Sequence, residues 1–150
     1  MLRDILDGMA QVLRDEVASE LTSGGIDTEV EPRLVLNPSE SPCIDIYPGE
    51  TSRSSAEAGF GDISGAYVVT VRARVTVADG DMAQDVLTDM VDDTHALSVA
   101  AALESDQTLD GWATFVAVDA DGFSGLLDMS MPGRQMVGCT WRVLVGQAVS

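Results

Sequence analysis

Apolar residues first recur at helical spacing. Leu2, Ile5, Leu6, Met9, Val12, Leu13, Val17 and Leu21 mark one face, and Arg3, Asp4, Asp7, Asp15, Glu16 and Glu20 mostly take the other. Ser23-Gly24-Gly25 is a stop signal. The period then falls to two. Ile26 to Leu36 alternates weakly through Val30, Leu34 and Leu36, and Pro32 within it predicts a strand at a sheet edge. Cys43 to Tyr47 is a second short strand, closed by Pro48-Gly49. Residues 50–65 are polar, rich in Ser and Gly, and read as a long flexible loop.

The strongest alternation runs over residues 66–78. Tyr67, Val69, Val71, Ala73, Val75 and Val77 share one face, and Val68, Thr70, Arg72, Arg74 and Thr76 share the other. That polar face is expected to meet solvent or a partner. Asp79-Gly80-Asp81 reads as a turn and helix cap. A helix follows, with Met82, Val86, Leu87, Met90 and Val91 inward and Asp85, Asp89 and Asp92 on its acidic side. Thr94 to Glu104 is a second helical stretch, continuous with the first or broken from it near Asp92-Asp93-Thr94. Strands are predicted at Gly111–Val118, Phe123–Met129 and Val137–Val149, with turns at 119–122 and 131–134. In the last strand Cys139, Trp141, Val143 and Val145 oppose Thr140, Arg142 and Leu144. The predicted class is α+β. A mostly antiparallel sheet of about five strands carries the N-terminal helix and a central helix or helix pair on one face. The 150 residues are expected to form a single domain.

Composition narrows the function. The chain has 8 basic and 25 acidic residues, a net charge of −17, and 45% hydrophobic residues. Every basic residue is Arg. Disorder is disfavoured by the apolar content. Nonspecific nucleic-acid binding and adhesion to an anionic membrane are disfavoured by the charge. The N-terminal MLRDILDG lacks the apolar run of a signal peptide, and no stretch reaches transmembrane length. Cys43 and Cys139 form no CxxC pair and read as buried free thiols in a reducing compartment.

Candidate chemistry is sparse. His95 is the one histidine and has no nucleophile motif beside it. Asp119-Ala120-Asp121-Gly122 resembles the start of a calcium loop, but it lacks the third oxygen ligand and the later Glu. Asp-Gly between two alternating runs instead signals a hairpin turn. Gly59, Gly61 and Gly65 precede a strand rather than a helix, and the chain has no lysine for a phosphate loop. No pair among the acids is marked for hydrolysis. The expectation is a non-enzyme without metal or cofactor. Arg72 and Arg74 have two readings, as contacts to acids of a neighbouring subunit or as partners of acids on adjacent strands. Asp85, Asp89 and Asp92 are candidates for a complementary face.

The whole layout resembles a known family. The features are the amphipathic N-terminal helix, Pro42-Cys43-Ile44-Asp45-Ile46-Tyr47-Pro48, the long strand from Tyr67 to Val75 and the helix Ala83 to Asp92. The segment from Ala101 to Gly111 and the closing strand containing Gly138 to Val145 complete it. This is similar to the tail terminator and tail completion proteins of long-tailed bacteriophages, in which an AL..D.TL.G segment links the helix to the last strands. The 50–65 loop is an addition to that pattern. The resemblance implies a structural protein of the virion at the head–tail junction. Such a protein forms a six-membered ring of its own copies on the tail tube protein, stops tube growth and presents a surface to the head connector protein. DNA passes through the lumen without specific binding, and on this resemblance Asp85, Asp89 and Asp92 are candidates for the complementary or the lumen face. Another neck component, or a small acidic cytoplasmic binding module or hydrolase, is the alternative.

Overall fold

In a computed structural model the structure describes residues 1–49, 66–77 and 81–147. The predicted 50–65 loop with its glycines, Asp79 and Gly80 of the predicted turn, and residues 148–149 of the predicted last strand lie outside these residues.

The first helix runs as α1 (Leu2–Leu13), a π-helical segment (Arg14–Ala18) and α2 (Ser19–Ser23), with helical backbone dihedrals at the junctions. The sequence explains the π turn. Ile5, Met9, Leu13, Val17 and Leu21 are each four residues apart and all buried. In a regular α-helix that spacing drifts by about 40° per step, because four residues exceed one turn of 3.6. A wider turn at 14–18 offsets the drift and keeps Val17 and Leu21 on the core side.

Among the described residues the sheet has six strands. They are β1 (Glu29–Glu31), β2 (Cys43–Pro48), β3 (Ala66–Thr76), β4 (Ala113–Asp119), β5 (Leu127–Asp128) and β6 (Met136–Gln147). The lateral order is β1-β2-β3-β6-β4, with β5 also on β6. All pairings are antiparallel except β1 with β2, so the sheet is mixed. Helices α3 (Asp81–Val91) and α4 (Val99–Glu104) complete the fold. Ile44, Ile46, Val69, Val71, Ala73, Val75, Cys139, Trp141, Val143 and Val145 form the core face and join one cluster with the buried residues of the helices, apart from Cys43 and other residues of the opposite face. No helix of the described residues is long and apolar enough to cross a membrane.

Three elements depart from expectation. The edge strand predicted over 26–36 shrinks to Glu29–Glu31. Pro32 has no N–H to continue the ladder, and residues 32–42 instead form a strap that lies over the sheet face opposite the helices at Val35, with Pro32 and Arg33 beside α1 and Ser41 and Pro42 beside the 81–91 helix. The helix predicted from Thr94 starts at Val99. Ser98 caps it by accepting from the Ala101 N–H at 3.1 Å, and Asp92 turns the preceding chain through bonds from the Thr94 N–H and hydroxyl. The 119–122 segment is not a hairpin turn. It is a 3₁₀ turn, and β4 and β5 both pair with β6 rather than with each other. They are two pieces of one interrupted edge strand, and the true hairpin turn is Met131–Arg134.

Candidate interaction surfaces

Strand register builds a buried charge centre behind the sheet. Asp45 on β2 lies opposite Arg72 on β3, and Cys43 lies opposite Arg74. Asp45 is fully buried, and Arg74 is 4% exposed. Arg72 Nε donates to Asp45 Oδ1 at 3.0 Å, and Arg72 Nη2 donates to Oδ2 of the same carboxylate. Arg74 Nη2 lies 3.5 Å from Asp45 Oδ2. Burial works against the Arg72 charge, but the bonds to Asp45 outweigh it and raise its pKa further above the usual range. The Arg72 guanidinium also lies 5.4 Å from the centre of the Tyr47 ring.

This centre grips the strap. The Val35 N–H donates to Asp45 Oδ2 at 2.9 Å, and the Val35 carbonyl accepts from Arg72 at 3.2 Å and Arg74 at 2.8 Å. Arg134 donates to the Pro38 carbonyl further along. Of the two readings of Arg72 and Arg74, pairing within the sheet is the one observed. Their expected exposure on an open polar face is corrected, because the strap covers them. The decisive residue, Asp45, was visible in the sequence only as an acid alternating with Ile44 and Ile46.

The α3 acids stand apart from that centre. Asp85 is exposed, and Asp89 is partly exposed with its carboxylate 3.6 Å from His95 Nε2. His95 Nδ1 accepts from the Leu97 N–H at 3.0 Å, so the one histidine shapes the turn between α3 and α4. Asp92 lies beyond the helix end, and the bonds from Thr94 hold its carboxyl below the usual range. Among the described residues, no group of three or more His, Cys, Asp or Glu could hold a metal.

The segment from Ala101 to Gly111 is a structural joint. Ala102 and Leu103 are buried on α4. Asp106 Oδ1 accepts from the N–H groups of Thr108 and Leu109 and folds the turn. Leu109, at 1% exposure, plugs the core beside Gly8, where a Cβ would stand 3.2 Å from that of Leu109. Leu109, Asp110 and Gly111 all have positive φ, of 46°, 61° and 95°. Gly111 takes the last of these without strain. Gln107 reaches the outer edge of β4, donating to the Val116 carbonyl at 2.8 Å and accepting from the Val116 N–H at 3.0 Å. Glu104 accepts from the Val118 N–H at 3.3 Å. At the opposite edge Arg14 donates to the Val30 carbonyl at 2.8 Å. Side chains thus occupy backbone groups at both sheet edges.

No protein-family model matches the chain, and neither does any curated protein.

Beside this joint lies a groove of about 360 Å³ between α1 and the 106–112 turn. Asp4, Asp7, Asp15, Asp106 and Asp110 line it, and Val12 and Trp112 provide apolar surface. Trp112 is 42% exposed. Sequence reading placed Asp4, Asp7 and Asp15 on a polar helix face but had no means of bringing Asp106, Asp110 and Trp112 against them.

Proposed function

We propose that this protein is a structural component of a phage tail, a terminator whose copies form a ring on the end of the tail tube. The ring stops tube polymerisation and joins the tail to the head connector while DNA passes through its bore. The resemblance over nearly the whole chain is the starting point. The observation that supports it most is where the positive charge goes. Of the seven described arginines, Arg14, Arg72, Arg74, Arg134 and Arg142 bind groups of their own chain. A chain of net charge −17 then turns outward a surface dominated by carboxylates. Such a wall holds few phosphate contacts, and each contact avoided leaves DNA freer to move.

The alternative from another class is a small acidic binding module. The Trp112 groove, with its carboxylate lining, is the feature that favours it. Electron cryomicroscopy of particles from the source phage separates the two. A ring of this chain between the last tube layer and the connector is the expected result. Absence of the chain from the particle would overturn the terminator reading and leave the binding module. A ring at another level of the neck would reassign it to a connector or head-completion role.

A further inference from the structure

The strap and the groove are complementary in charge and in apolar character. The strap is clamped at Val35 by the buried Asp45, Arg72 and Arg74. The residues on either side, Leu34 and Leu36, are 47% and 77% exposed. Arg33 precedes them, is exposed, and among the described residues has no hydrogen-bond or ion-pair partner. Clamping the middle of a segment whose neighbours project into solvent removes the entropy cost of ordering it on contact. The groove supplies what that segment lacks. It offers apolar surface at Val12 and Trp112 for the leucines, and of its five aspartates Asp7 and Asp110 have no partner among the described residues and are open to a guanidinium. The exposed Trp112 ring is also a stacking surface for that guanidinium.

We propose that the strap of one copy docks in the Trp112 groove of the next. The occupant is a second copy of this chain because the chain itself carries the matching cation between apolar residues. Val35 is clamped over the sheet face opposite the helices, and Pro32 and Arg33 reach the Leu2 to Asp7 end of α1, so the strap and the groove are two different patches of one copy. That contact is head-to-tail, the kind that closes into rings. Side chains already occupy Val30 on one sheet edge and Val116 and Val118 on the other, so joining by side-chain surfaces is favoured over continuation of the sheet. The inference rests on the ring reading above and specifies its interface.

Two single-cysteine variants test it, Leu36→Cys on the strap and Asp110→Cys at the groove. Both replace exposed side chains, and the native Cys43 and Cys139 are buried. Each variant is first checked for wild-type circular dichroism, and the two are then treated with a short bis-maleimide, separately and mixed. Sedimentation velocity of each sample, alone and with purified tail tubes, records assembly in parallel. Cross-linked dimers in the mixture, with none in either variant alone, are expected. Arg33→Glu introduced beside Leu36→Cys should lower the mixed cross-link at least tenfold. Dimers in a single-variant sample would mean strap meets strap or groove meets groove, and would overturn the proposal. Assembly by sedimentation without mixed cross-links would overturn this interface and leave the ring reading intact. A chain that sediments as a monomer in every sample would overturn both.

Discussion

Asp45 is the residue on which the sheet's back face depends. Among the described residues it is the only carboxylate that Arg72 and Arg74 bind; Asp45 and Arg74 are buried, and the Arg72 side chain is 18% exposed. Removing one partner of a buried ion pair leaves an uncompensated charge, which costs about 3–5 kcal/mol. Asp45→Asn is expected to lose stability on that scale in urea unfolding, with the strap released. Charge reversal at Arg72 or Arg74 should likewise unfold the protein rather than spare the fold and disturb only contacts between copies. The two thiols set a different dependence. Burial pushes Cys43 and Cys139 from an ordinary 9.0 up to about 12, with Glu29 and Asp45 adding to the effect at Cys43. Below the ordinary thiol range both folded and unfolded chains keep the proton, and this contribution to stability is fully present. Above it the unfolded chain ionises first, so stability is lost as pH rises toward the folded value. The urea midpoint should fall between pH 9 and pH 12, and less so in the Cys43→Ala, Cys139→Ala variant. With no lysine in the chain, few other groups titrate in that window.

At the scale of elements, the joint from α4 to β4 does three jobs. It turns the chain at Asp106, fills the core with Leu109 and covers the β4 edge with Gln107 and Glu104. Leu109→Ala should cost about 2–5 kcal/mol, the usual range for a buried leucine that leaves a cavity, measured by thermal or urea unfolding. Gln107→Ala should cost less, about 1 kcal/mol for the lost hydrogen bonds. Its larger effect is expected in solution behaviour. With the Val116 N–H and C=O uncovered, β4 becomes an edge that other chains can pair with. Light scattering on warming should therefore rise earlier in Gln107→Ala than in wild type. An unchanged aggregation onset would show that the edge needs no cover.

At the scale of the whole molecule the surface is acidic, since a net charge of −17 leaves carboxylates in excess even though Arg3, Arg14 and Arg33 are exposed. That distribution bears on the DNA path only if the ring reading holds, and it can be tested there. Asp85 and Asp89 stand on the outer side of α3, away from the core residues Ala83, Leu87 and Met90. Phage carrying Asp85→Lys and Asp89→Lys are expected to eject DNA more slowly than wild type if α3 faces the bore, because each new cation adds a phosphate contact. Ejection kinetics followed by a DNA-binding dye provide the measurement. Unchanged kinetics would place these acids away from the DNA.

Periodicity alone carried the class of the fold. The i, i+4 run from Ile5 to Leu21 and the alternation of β3 and β6 follow from which residues avoid water, and that preference is written locally; whether the helix breaks near Asp92 was left open by the pattern and is decided by the bonds from Thr94 to Asp92. The mostly antiparallel sheet under N-terminal and central helices follows from the same pattern. Local signals could not show which strand lies beside which. Register placed Asp45 against Arg72, turned an expected open arginine face into a buried clamp, and sent β5 to β6 instead of β4. The strap after Pro32 likewise depends on Asp45 of the neighbouring strand and on two guanidinium groups of β3, 37 and 39 residues beyond Val35. The groove brings Asp4, Asp7 and Asp15 of α1 to Asp106, Asp110 and Trp112, about a hundred residues later. Burial preference belongs to each residue and its neighbours in the chain. Pairing between distant side chains exists only once the sheet has chosen its order, so only the tertiary structure decided where this protein's charges meet.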